Sequence, residues 1–225
     1  MAALDHVVLA LPFHGTWLAR NSPARRVPSH GTDLFATTYA IDFVAVRGRR
    51  TAATRDWRAL VSTEPVERFF AFGQPILAPA SGRVVSVHDG EADHVARRSQ
   101  VARVPYALTQ AARARGGAGA LAGNHVILEL EGHRGHVVLA HLRAGSLRVE
   151  TGETVVAGAE LAACGNSGNS TQPHVHVQRM DAADPFTARG LPMSFKDYRV
   201  WPRRGRSPVV VDQGIPDESE VVEPL

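Results

Sequence analysis

Residues 37 to 46 read TTYAIDFVAV, a run dense in β-branched and aromatic residues that no Gly or Pro interrupts. Such a run predicts a strand. From residue 75 the texture changes to PILAPASGRVVSVHDG, where a Pro-Ala-Ser-Gly turn leads into alternating valines and Asp89-Gly90 closes the stretch as a hairpin signal. Then come NHVILELEG, HVVLAHLR, LRVETGETVVAGAELAAC and HVHVQRMD, short apolar stretches with glycine turns between them. This spacing predicts a mainly β protein with an antiparallel sandwich or barrel-like core. Residues 91–123, rich in Ala and Arg and ending in a glycine cluster, predict a small helical insertion. HVVLALPF near the start predicts one short strand. HGTWLARNSPARRVPSHGTD, with Pro23 and Pro28, predicts a long wrapping loop, and residues 47 to 74 a loop with a short helix. The charged, proline-containing tail 204–225 predicts poor order apart from the valines at 209 to 211. The expectation is one domain over 1–203, its core about 28–182. The Gly-turn-Val texture of 76 to 87 recurs at 149 to 162, as a duplicated strand unit would.

Composition narrows the chemistry. A chain of 225 residues buries a sizeable single core. Its one cysteine, Cys164, allows no intrachain disulfide and no thiolate zinc site, and is read as a small buried hydrophobe. Any metal must be held by imidazole and carboxylate, and there are 11 histidines to draw on. Basic residues number 25 against 22 acidic, and a net charge of +3 with dispersed arginines and few aromatics argues against nucleic acid as a partner. The first residues carry Asp5 and no basic residue before a short apolar run, so they do not read as a signal peptide. No apolar stretch is long enough to span a bilayer, and the expectation is a soluble chain. Oligomeric state is left open.

Three segments carry candidate chemistry. In GNSGNSTQPHVHVQ a turn-rich loop enters a strand through Pro173, and alternation puts His174 and His176 on one face with Val175 and Val177 on the other. Two imidazoles side by side can hold a metal ion or serve as acid and base, although a polar solvated face has the same pattern. Asp42 lies inside an apolar strand between Ile41 and Phe43, where a carboxylate needs a metal or an arginine as partner, or else must face solvent. His141 ends an apolar strand, a place where a histidine is by itself commonly satisfied by backbone. His6, His88, His94, His125, His133 and His136 are read as surface or strand-end residues.

Together YAIDF, VLAHL and PHVHVQ, with the strand pair of PILAPASGRVVSV, resemble the lysostaphin-type zinc endopeptidases that cut peptide cross-links in bacterial cell walls. The resemblance spans roughly residues 28 to 182. It implies the duplicated hybrid motif fold with an open groove, one catalytic Zn2+ per chain, and peptidoglycan or another peptide as substrate, which would place the protein outside the cytoplasm. Carried over residue by residue, it makes Asp42 and His176 zinc ligands, with His141 and His174 beside the metal to activate water or stabilise the oxyanion. The family's first ligand is usually a histidine four residues before the aspartate, and that position here is Thr38. A catalytic zinc needs three protein ligands. His30, 12 residues before Asp42 in a loop able to fold back, is the candidate for the third, with Asp33 and His14 as weaker ones.

Two alternatives stand beside an active peptidase. One is a catalytically impaired relative that binds peptidoglycan or activates a partner hydrolase. The other, a biotinyl- or lipoyl-carrier module, requires a lysine exposed in a hairpin turn. The sole lysine, Lys196, falls outside the repeated strands, which argues against a carrier.

Overall fold

The computed structural model describes residues 6–53, 62–97, 99, 118–202 and 207–225. It is mainly β, as the alternation of the sequence predicts. The strands are β1 (Val7–Leu9), β2 (Trp17–Arg20), β3 (Ile41–Ala45), β4 (Pro75–Leu77), β5 (Gly82–His88), β6 (Asn124–Leu130), β7 (His136–Leu142), β8 (Thr154–Val155), β9 (Glu160–Ala163), β10 (Val175–Met180), β11 (Gly190–Leu191), β12 (Met193–Trp201), β13 (Val209–Gly214) and β14 (Val221–Pro224). The main sheet runs β1-β12-β14-β2-β3-β10-β7-β6-β5-β8, with β11 on β10 and β13 on β12, and β4 pairs β9 in a separate two-stranded sheet. All these pairings are antiparallel except β1 with β12.

One core lies between the two sheets. Ile41 and Phe43 of β3, Val175 and Val177 of β10 and Val137 and Leu139 of β7 meet Ile76 of β4 and Leu161 of β9, all buried. An aromatic chain extends this core across strands, with Phe13 stacked on Trp17 at 4.5 Å and Phe43 edge-on to Phe195 at 5.4 Å. A smaller cluster of Ala36, Ile127, Val138, Ala140 and Met180 lies on the opposite side of β6, β7 and β10, where the 3-10 segment Leu34–Tyr39 covers them. That second face is the one Asp42 and His176 share.

Several expectations are corrected. The tail, expected to be poorly ordered apart from the valines at 209 to 211, contributes β14 as well as β13, which holds those valines, and β14 inserts between β12 and β2 with Val222 fully buried. Charge and proline suggested disorder, but two apolar residues suffice once strands wait on either side. The wrapping loop contains β2, whose short pattern of Trp17 and Ala19 inward and Arg20 outward was hidden among prolines and arginines. Asp89-Gly90 is not a tight hairpin turn, because β5 rejoins β6 at His88 and His125, 37 residues apart, and the excursion lies between them. Residues 91–97 of the expected helical insertion are irregular rather than helical, and its next described part is the short helix α1 (Ala118–Ala122). Residues 98 and 100–117 of that insertion lie outside the described residues. The short helix expected over 47 to 74 is the 3-10 turn Val66–Arg68, with 54–61 outside the described residues. Of the two places expected for His125, surface or strand end, it takes the second, as the buried second residue of β6.

Candidate metal centre

Register brings the first two residues together. In the β3–β10 pair, Asp42 and His176 are direct partners, and paired positions project to the same face. Their side chains meet at 2.8 Å, His176 Nδ1 to Asp42 Oδ1. The ring is held from behind, since His176 Nε2–H donates to Gln178 Oε1 at 2.8 Å. Gln178 Nε2 in turn donates to the carbonyl of Phe35 at 3.0 Å, which fixes the direction of the amide. Gln178 was not singled out from the sequence, although it follows His174 and His176 at the same two-residue period.

His30 arrives from the loop after β2. Its Nε2 lies 3.3 Å and 3.2 Å from the two carboxylate oxygens of Asp42. The ligating atoms of His30, Asp42 and His176 all fall within 4.8 Å of one another. Neither weaker candidate joins them: Asp33 is exposed and accepts from Thr38 Oγ1 at 3.0 Å, and His14 is exposed. Asn21, unremarked in the sequence, donates from Nδ2 to Asp42 Oδ2 at 2.6 Å.

His174 and His141 complete the cluster, their rings 4.7 Å apart. His174 Nε2 is 3.6 Å from Asp42 Oδ1, while its Nδ1–H donates to the carbonyl of Gln172 at 2.8 Å. His141 Nδ1–H donates to the carbonyl of Ser167 at 2.9 Å. A carbonyl can only accept, so both rings keep their proton on Nδ1 and turn an unprotonated Nε2 to the cluster.

Strict alternation would send His141 into the core with Val137 and Leu139. Instead β6 and β7 slip between Asn124↔Leu142 and Val126↔Leu139, so that two residues of β7 oppose one of β6. His141 takes a left-handed φ of 62° in this bulge. The extra residue turns its side chain to the site face and returns Leu142 to the core. A left-handed histidine costs about 1–3 kcal/mol in backbone strain, and such strain clusters at functional sites. The glycine loop holds the other side of the bulge: Gly165 N–H donates to the His141 carbonyl at 3.0 Å and Ser167 Oγ to that of Leu142 at 2.8 Å. Gly168 has φ 65° and packs so closely on Gly123 that a side chain there would meet the backbone.

Burial and charge set the protonation of the cluster. Burial alone would raise the Asp42 carboxyl, but the charges of His30 and His174 and the hydrogen bonds from His176 and His30 hold it well below its usual value. Burial, reinforced by His174 and His176, pushes His141 well below the ordinary imidazole value, and burial likewise lowers His174. His176 is raised: burial opposes its charge, but the hydrogen bond and charge of Asp42 outweigh that. The site therefore separates one ionised carboxylate from two neutral imidazoles.

The donor set is two imidazole nitrogens and a carboxylate, which suits zinc, and with Nε2–H held by Gln178 a metal would take the place of the Nδ1 proton that His176 gives to Asp42. A family model described as peptidase family M23 matches residues 66–187. That stretch includes His141, His174 and His176 but neither His30 nor Asp42. No curated protein matches the chain. Among solved structures, the chain is similar to the catalytic domain of the antimicrobial peptidase lysostaphin from Staphylococcus simulans, at 20% identity over 68% of this chain and 74% of that one, TM-score 0.38. It is similar also to a variant catalytic domain of the prophage-encoded M23 protein EnpA from Enterococcus faecalis, at 18% identity over 68% and 72%, TM-score 0.38. A zinc-containing peptidase from Vibrio cholerae is similar at 19% identity over 68% of this chain and 50% of that chain, TM-score 0.34.

Proposed function

The chain belongs to peptidase family M23, and from that premise we propose that it is a zinc-dependent endopeptidase that hydrolyses peptide cross-links of peptidoglycan. One observation carries the reading: His30, Asp42 and His176 bring three ligating atoms within 4.8 Å, with His141 and His174 beside them. His30 takes the third ligand place that Thr38 leaves vacant. Bound zinc would polarise the scissile carbonyl and lower the pKa of water toward neutrality.

The chain's own residues do the rest. His141 and His174, neutral with Nε2 turned inward, are ready to take the proton of an attacking water and return it to the leaving amine. The ring that becomes an imidazolium also faces the oxyanion that develops on the substrate. Asp42, held ionised, compensates that transient positive charge while it binds the metal. Peptidoglycan as substrate places the work outside the cytoplasm. Among the described residues no helix is long and apolar enough to cross a membrane.

The test is elemental analysis of the purified chain together with release of new amino termini from purified peptidoglycan. One zinc per chain with such release, both lost in Asp42→Ala, is the expected result. A chain that binds peptidoglycan without zinc and without cleavage would instead be the impaired relative that acts as a binding module.

A further inference from the structure

His30 has no strand to fix it, and this raises the question of what holds its ring. Thr38 turns its side chain away to Asp33, yet its backbone and that of Thr37 anchor the His30 loop. Ser29 N–H donates to the carbonyl of Thr38 at 2.9 Å. The Ser29 hydroxyl lies 3.1 Å from the carbonyl of Thr37 and 3.0 Å from His30 Nδ1, and the residue is 1% exposed.

A hydroxyl has one proton to give. If a cation uses the lone pair of His30 Nε2, the ring proton sits on Nδ1 and must be donated outward. Ser29 Oγ is the acceptor within reach, and its own proton then goes to Thr37 O. This single arrangement satisfies every group in the chain His30, Ser29, Thr37. The alternative, Ser29 donating to a bare Nδ1, leaves the proton on Nε2 and blocks the metal.

We propose that Ser29 is the positioning residue of a relocated metal ligand: anchored on the Thr37 carbonyl, its hydroxyl accepts a hydrogen bond from Nδ1–H of His30 and leaves Nε2 to the cation. It does for the loop what Gln178 does for the strand. The inference rests on the reading of His30 as a ligand, and the experiment separates the two.

Zinc affinity of the full chain is measured by chelator competition for the unmodified protein, Ser29→Ala and His30→Ala. The heteronuclear imidazole spectrum of the zinc-loaded unmodified protein is recorded alongside. Removing an outer partner of a ligand weakens zinc about 10–100-fold, so Ser29→Ala is expected in that range and His30→Ala beyond it. The spectrum is expected to show a His30 Nδ1–H that exchanges slowly with solvent, a signature that mere loop anchoring by Ser29 would not produce. Unchanged affinity in Ser29→Ala, with zinc lost in His30→Ala, overturns the positioning role alone. Unchanged affinity in His30→Ala overturns the ligand reading itself. If Ser29→Ala does not fold, the spectrum decides, and a bare His30 Nδ1 in the zinc-loaded protein overturns the proposal.

Discussion

Two regions of the chain meet at Asp42. From one side β10 delivers His176 in backbone register with β3, and the same strand pairs with β7 at Ala140, next to the bulge that turns His141 inward. From the other side a loop without regular structure delivers His30, held by Ser29 and the carbonyls of Thr37 and Thr38. The strand side shares its ordering cost among many backbone bonds and a packed core of Val175, Val177 and Leu139. The loop side spends a few side-chain bonds on one ring. The proposed place of a ligand at position 30 rather than 38 asks no change of the strand residues, because a loop needs only to bring a nitrogen to the carboxylate and a strand must keep its register.

The largest expected effect removes what both regions share. Asp42→Asn keeps the size of the side chain but halves its acceptor capacity and removes its charge, and is expected to lower zinc affinity by more than the about 100-fold that an outer partner is worth. Retention of zinc in that variant, measured by chelator competition, would break the picture of a common centre. His141→Ala touches the strand region alone. It should keep zinc and lower kcat about 10²–10⁴-fold, the range for a lost acid–base group, and His174→Ala should do the same. Loss of zinc in either would move these residues from proton transfer to ligation.

Smaller effects sharpen the contrast between strand and loop. Gln178→Ala frees His176 Nε2, but register still places the ring, so its cost in zinc affinity should lie near the lower end of about 10–100-fold, with Ser29→Ala nearer the upper end. An inverted order would mean that the strand, not the loop, depends on its side-chain partner.

The smallest effect is a pH dependence of the metal-free protein. His141 and His174 are lowered by burial, so their stabilising contribution is full above the ordinary imidazole value of 6.5 and is lost as pH falls below it, when the unfolded chain takes up protons that the folded site refuses. His176, raised by Asp42, contributes with the opposite sign, fully below 6.5 and less as pH rises through its raised value. Thermal melts taken downward from neutral pH should show Tm falling through this window. His141→Gln should flatten the fall, and an unchanged slope in that variant would separate His141 from it.

Much of the frame was legible because strand periodicity is local. No Gly or Pro interrupts β3, β6, β7 or β10, and the two-residue spacing of His174 and His176 sets a common face without knowledge of what lies opposite. β2 and β14 were missed for the converse reason. Each is four residues long with polar neighbours, and each is a strand because its edges find partners, Trp17 beside Val222 and Ala45. The left-handed turn at His141 was equally hidden, since the sequence shows an alternation that the bulge interrupts.

What the sequence by itself determined is the β class, the absence of thiolate ligands, and the residue types from which a metal centre can be assembled, all of them consequences of composition and short-range pattern. What only the tertiary structure decided is which imidazoles meet the carboxylate. His30 and Asp42 are 12 residues apart in the chain and His176 and Asp42 134 apart. Those meetings depend on sheet order and on the path of one loop, and the approach of His141 on one bulge. They are set by the packing of the whole chain, and no local pattern encodes them.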